Sequence, residues 1–270
     1  MFVVALLAGA AGAMLFTRST APGPDALLAT VPRTADGKPD LGGVWQALGT
    51  AHWDVESHAA SAGPVMALGA AYSVPGGRGV VEGEIPYQPW ALERREENYK
   101  ERLTRDPEIK CYMPGVPRAT YMPYPFQILQ GTDKILIAYE FADTTRTIHL
   151  NQVADSPADT WMGWSRGKWE GDALVVDVTS FNDQTWFDRA GNFHSEALHV
   201  VERYARTGPD HMTYTATIED PKVLTRPWTI SVPLYRRQEA NLQLVEYKCV
   251  EFVEEMMYGH LSKGATRRVQ

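Results

Sequence analysis

Two stretches, His211–Ile218 and Trp228–Leu234, alternate apolar and polar residues. Met212, Tyr214, Ala216 and Ile218 stand against Thr213, Thr215 and Thr217; Trp228, Ile230, Val232 and Leu234 stand against Thr229 and Ser231. Successive strand side chains point to opposite faces, so this pattern makes one apolar and one wetter face, which a helix of 3.6 residues per turn cannot use. One wet face is the habit of antiparallel sheets; parallel strands covered on both sides read as continuous apolar runs. Further strands are expected at Leu41–Trp45, Lys134–Tyr139, Arg146–Leu150, Met162–Ser165, Ala173–Val178, His199–Ala205 and Leu242–Cys249. Short separators at Gly131-Thr132-Asp133, Arg166-Gly167-Lys168, Gly171-Asp172 and Gly208-Pro209-Asp210 carry hairpin chemistry. The expected class is all-β, an antiparallel meandering barrel or sandwich.

The 270 residues suit one such domain, and 44% hydrophobic against 22% charged residues is the make-up of a chain with a real core. We expect an apolar segment over residues 1–18, a linker over 19–40, a single β-rich domain over 41–258 and a tail over 259–270. Pro89–Leu103 is the one convincing helix, on the surface, with a thin stripe of Trp90, Leu92, Tyr99 and Leu103. Ala59–Gly83, rich in Gly and Ala, reads as a long surface loop. From Cys111 to Phe126 four prolines force an extended strap that either wraps the domain or docks a partner, which makes Tyr112, Tyr121, Tyr124 and Phe126 contact candidates. A net charge of -7 and the lack of a Lys/Arg cluster exclude a nucleic-acid surface.

Met1 to Phe16 is apolar or small throughout. As a helix it would span roughly 25 Å at about 1.5 Å per residue, slightly short of a hydrocarbon core of about 30 Å. It suits a signal peptide with Ala11-Gly12-Ala13 as cleavage site, or a short uncleaved anchor. The anchor reading puts the domain on the periplasmic side of the inner membrane, tethered by residues 1–18. Cys111 and Cys249 are the only cysteines and fit neither a thioredoxin-type nor a c-type haem motif. In an exported domain they are expected to pair.

The segment 182–203 is the densest polar cluster. Asp183, Asp188, His194 and His199 are the catalytic candidates, as an acid/base group at a barrel mouth. The bland alternative is a structured loop whose Asp and His side chains satisfy backbone groups, with Glu202 and Arg203 decorating the next strand. His194, Glu196 and His199 match no metal-binding spacing, and strand parity separates the two histidines; no metal or cofactor is expected. Gly163-Trp164-Ser165-Arg166-Gly167 fits G-x-S-x-G, but a nucleophile elbow needs a helix after its turn, and a strand follows.

Three motif groups carry a resemblance: Cys111-Tyr112-Met113-Pro114-Gly115-Val116-Pro117-Arg118, Met122–Phe126, and Gly167–Asp172. They are followed by Phe181-Asn182-Asp183, His194–His199 and Asp220-Pro221-Lys222. Over roughly residues 31–252 the chain resembles a large family of exported bacterial β-rich proteins. The resemblance implies export and a lipocalin-like β-fold, and it implies no activity. The leading expectation is a non-catalytic, membrane-tethered extrinsic subunit that packs on and stabilises a larger membrane complex. Abundant energy-converting assemblies, photosynthetic reaction centres among them, are the first candidates. The alternatives are a lipocalin-like periplasmic hydrolase or isomerase, and a carrier for a small apolar ligand. A filled barrel favours the subunit; an open dry cavity favours the other two.

Overall fold

The computed structural model describes residues 31–63, 65, 68, 73–151 and 154–261. The apolar segment at Met1–Phe16 lies outside the described residues, as does part of the Gly/Ala stretch. Nine strands form the framework: β1 (Gly43–Ala47), β2 (Phe126–Gln130), β3 (Lys134–Tyr139), β4 (Thr145–His149) and β5 (Trp164–Glu170), then β6 (Ala173–Thr179), β7 (His199–Arg206), β8 (His211–Glu219) and β9 (Trp228–Arg236). They pair in sequence order and close into a barrel through β1 and β9.

Every neighbouring pair is antiparallel except β4 and β5, which are parallel. Nine is odd, and strand direction cannot alternate all the way round an odd ring, so one parallel pair is obligatory. The chain between His149 and Trp164 is long enough to carry the return that a parallel pair requires. Gly167 lets this pair close up, because a Cβ there would sit 2.7 Å from Ile148 Cγ2. Gly163 turns the chain into β5 with φ +67°, where an added Cβ would lie 2.7 Å from Val178 Cγ1. The glycines of G-x-S-x-G are thus packing and turn residues. Ser165 points inward, is 1% exposed, and accepts a hydrogen bond from Arg146 Nε at 2.8 Å.

The expected alternation fills the lumen. Along β8 from Met212 to Ile218 and along β9 from Trp228 to Leu234 every second residue is buried and each intervening residue is more exposed. Trp45, Phe126, Tyr139, Tyr204 and Tyr214 are buried in the same core. Polar residues share it: Arg146 and Glu202 form an ion pair inside the barrel. Outside lie α1 (Pro89–Lys100), α2 (Arg102–Arg105), α3 (Arg118–Tyr121) and α4 (Val253–Tyr258). Among the described residues no helix is long and apolar enough to cross a membrane.

Four expectations are corrected. Arg166–Lys168 lies within β5, and the hairpin turn after it is at Gly171-Asp172, because β5 stays paired with β6 residue for residue from Trp164 to Glu170. The strap is not extended throughout: it folds into α3, and Phe126 opens β2. Tyr121 and Phe126 are about 2% and 1% exposed, so they are core residues and not partner contacts; Tyr121 also gives its hydroxyl to the Phe187 carbonyl at 2.8 Å. Leu242–Cys249 is not a barrel strand, since β9 pairs with β8 and β1 and leaves the ring no free edge. Of the other strap candidates, Tyr112 is 40% exposed and meets Trp161, while Tyr124 packs against Phe141 and Tyr247. Cys111 and Cys249 form a disulfide.

Candidate functional site

The four nominated residues do not meet. Asp183 is exposed beside Gln184. Asp188 is fully buried and organises its loop, accepting from the backbone N–H groups of Val55, Ala190 and Asn192 and from Asn192 Nδ2 at 2.7–3.2 Å. Burial, with the nearby Asp54 charge, pushes its carboxyl up to about 7. A carboxyl with this value could act as a general acid or base. Its oxygens, however, are committed to four donors, with no face open to substrate.

His194 is 3% exposed. Its Nδ1–H donates to the Ser195 carbonyl at 2.9 Å, so Nε2 accepts from the Thr185 hydroxyl at 2.6 Å. Burial holds the ring below its ordinary pKa and therefore neutral. His199 stands on the outer face of β7, between Asp177 of β6 at 2.8 Å and Glu219 of β8 at 3.4 Å. Partial burial opposes its charging, but the bonds to both carboxylates outweigh that and raise its pKa. Each nitrogen faces a separate carboxylate, which makes a cross-strand clamp and leaves no free ligand atom. Among the described residues no group of three or more His, Cys, Asp or Glu side chains is placed to hold a metal.

Two ionic networks escaped the sequence reading. Inside the barrel, Glu202 accepts from Arg146 Nη1 at 3.0 Å and from Nη2, and from the hydroxyls of Tyr204 at 3.1 Å and Tyr214 at 2.8 Å. Glu202 does not decorate a surface. It shares strand parity with Val200 and Tyr204, and that parity was its available signal.

Outside the barrel, Arg118 bridges Asp106 at 3.1 Å and Glu108 at 2.6 Å; Glu108 also takes a bidentate contact from Arg189 at 2.6 and 2.9 Å. Burial disfavours the Glu108 anion, yet Arg189 and Arg118 more than offset it and bring its pKa down to about 2. Arg118 closes the Cys-x-x-Pro-Gly-Val-Pro-Arg motif, a position from which burial could not have been read. This cluster fastens the strap to the Arg189 loop, and Arg189 lies 3.8 Å from Glu254 of α4.

Beside it, a cleft of about 260 Å³ opens between the Trp53–Ser61 loop, α1 and Arg189. Arg189 stacks over Trp53 at 4.5 Å and Arg102 over Tyr99 at 4.1 Å. Arg95 lies 3.7 Å from Asp54, whose carboxyl burial pushes up. His58 turns both ring nitrogens to backbone carbonyls, of Glu56 at 2.8 Å and Pro75 at 3.0 Å, and so is not aimed at Ser61 in the same lining. The cleft's cations stack on rings or face carboxylates. Such a surface can recognise a small polar molecule but, among the described residues, presents no base-activated nucleophile.

No protein-family model matches the chain, and no curated protein matches it significantly in sequence.

Proposed function

We propose that the chain is a non-catalytic extrinsic subunit, held on the periplasmic side of a bacterial inner membrane through residues 1–18, that packs on and stabilises a larger membrane protein complex. The observation that carries this reading is the barrel lumen. It is occupied by core side chains and by the Arg146–Glu202 pair with its two tyrosines, which takes up the space a lipocalin-like carrier or enzyme uses for its ligand. The nominated catalytic residues are spent on loop structure or on a cross-strand clamp. The Cys111–Cys249 disulfide and the resemblance to exported bacterial β-proteins support an oxidising compartment. Exposed apolar residues on α1 (Trp90, Leu92) and α4 (Met256, Met257) offer contact area.

The test is purification of the native protein from its own membrane in mild detergent, beginning with energy-converting assemblies. Co-migration with stoichiometric partners supports the subunit; recovery as a lone monomer overturns it.

The external cleft favours a second reading, a carrier for a small molecule, because two stacked guanidinium–aromatic pairs flank it. Its 260 Å³ falls just below the roughly 300–1,000 Å³ usual for ligand sites. Native mass spectrometry of the protein from its source decides: a bound small molecule that disappears in Trp53→Ala favours the carrier.

A further inference from the structure

After β9 the chain leaves the barrel and runs from Leu242 to Val250 without turn, bend or strand pairing. Its sequence is nonetheless that of a strand. Leu242, Leu244, Tyr247 and Cys249 are half-buried, while Gln243, Val245, Glu246, Lys248 and Val250 are exposed, with the alternation slipping by one at Val245–Glu246 as it does at a β-bulge. Val245 and Val250 are 63% and 53% exposed. Loops of this length normally carry Gly, Pro, Asn or Ser, and this one has none between Leu242 and Val250.

Most backbone groups of this stretch have no hydrogen-bond partner among the described residues, and at its start the Leu242 N–H donates to the Glu239 carbonyl at 3.3 Å. The Val245 N–H donates to Glu140 Oε2 at 3.1 Å, and the Val250 carbonyl accepts from Val253 at 3.2 Å. Among the described residues, no hydrogen bond within the chain engages the N–H groups of Gln243, Leu244 or residues 246–251. The segment is also pinned. Cys249 is bonded to Cys111, Tyr247 is wedged between Tyr124 and Phe141 at 5.2 and 4.9 Å, and the Phe252 N–H donates to the Ile109 carbonyl at 2.8 Å. Much of the ordering cost that a disordered docking segment meets on binding is therefore already met in the free protein.

We propose that residues 242–250 form a pre-ordered docking strand that an extended segment of a partner polypeptide joins by strand addition. Main-chain hydrogen bonds would supply affinity, and Val245 and Val250 would sit against alternate side chains of the incoming strand. This rests on the extrinsic-subunit reading and names the surface that reading needs. The closed barrel has no edge to offer, so this strand carries the vacant donors and acceptors that an extended polypeptide can satisfy.

The test is amide hydrogen exchange on the full-length protein, isolated and within the complex obtained in mild detergent. In the complex, amides within 243–250 should exchange roughly tenfold or more slowly than in the isolated protein. Glu246→Pro and Lys248→Pro each delete a free N–H on an exposed face and should abolish co-migration. Glu246→Thr and Lys248→Thr keep the N–H and should retain it. Unchanged melting temperature and an intact 111–249 disulfide show that the barrel is not at fault. A complex that forms normally with both proline variants, or protection confined to another surface, overturns the docking strand and leaves the subunit reading standing. A lone monomer for the wild type overturns both. Protection that tracks formation of a homodimer assigns the strand to a second copy of this chain and overturns the heterologous partner.

Discussion

Glu202→Gln is expected to destabilise the protein by about 3–5 kcal/mol, the usual cost of removing one partner from a buried ion pair. Glu202 is 0% exposed and receives four donations, two from Arg146 and one each from Tyr204 and Tyr214. A glutamine keeps one acceptor oxygen and turns an NH2 group toward either the guanidinium or the hydroxyls. That leaves a buried charge uncompensated and at least one donor orphaned, and the orphan by itself costs about 1–3 kcal/mol. Set against a typical net stability of about 5–15 kcal/mol, this is a large fraction of the total. Removing the whole network is a different matter. With Arg146→Met, Glu202→Leu, Tyr204→Phe and Tyr214→Phe together, every donor to Glu202 leaves with it and only the Ser165 hydroxyl loses its Arg146 partner, so the change is expected to lie between a loss of about 1 kcal/mol and a gain of up to about 4 kcal/mol. Urea unfolding of the full-length chain, followed by tryptophan fluorescence, reads both, since Trp45 is fully buried. The single variant should lower the midpoint at unchanged slope. A loss under about 1 kcal/mol for Glu202→Gln would mean the lumen admits water to solvate Arg146, and the filled-barrel argument would fail with it. A quadruple variant as unstable as the single one would show that the pair is worth more than its desolvation costs.

Two further outcomes follow from the geometry. His52 is buried, and its pKa is held down at about 4 by burial and by the Arg189 charge, so its neutral form contributes stability above pH 6.5 that is lost as the pH falls toward 4. That loss is of the order of 3 kcal/mol, and Asp188, whose pKa is raised, works the other way by binding its proton more tightly in the folded state. His52→Leu should therefore gain on wild type as the pH drops from 7 to 4.5; a constant difference in unfolding free energy refutes this. The paired replacement Cys111→Ser and Cys249→Ser opens a loop spanning 138 residues and should cost roughly 4–5 kcal/mol on the chain-entropy model, with faster proteolysis between Gln238 and Phe252. An unchanged denaturation midpoint would count against it.

The class of fold was legible because the lumen of a barrel imposes period two on its strands. In a helix Tyr214 would share a face with Thr217, three residues on, whereas in β8 Thr213, Thr215 and Thr217 stand on the face opposite Tyr214 and Ala216. The same parity also places two charged residues at core positions. Arg146 shares a face with Ile148, and Glu202 with Val200 and Tyr204, so two charges sat at core positions in plain view. They became intelligible only as a pair, because a buried charge is tolerable when its counter-charge arrives, and these two are 56 residues apart.

The 182–203 cluster misled for the opposite reason. Short sequence separation suggested convergence, but Asp188 folds back on its own loop while His199 stands on the outer wall facing β6 and β8. Composition cannot distinguish a side chain that satisfies backbone donors from one that meets a substrate. Leu242–Cys249 has the pattern of a strand and no strand partner among the described residues, because pattern states what a segment can pair with while ring closure decides whether a place is left.

The sequence by itself thus determined the β-class, the boundaries of most strands and the identity of the apolar face, all of them consequences of local periodicity. Only the tertiary structure decided that the sheet closes with an odd number of strands, that an ion pair is buried among the apolar side chains of its lumen, and that one strand-like segment is left outside. Closure and charge pairing join residues far apart along the chain, and their energies depend on burial that exists only once the barrel has formed.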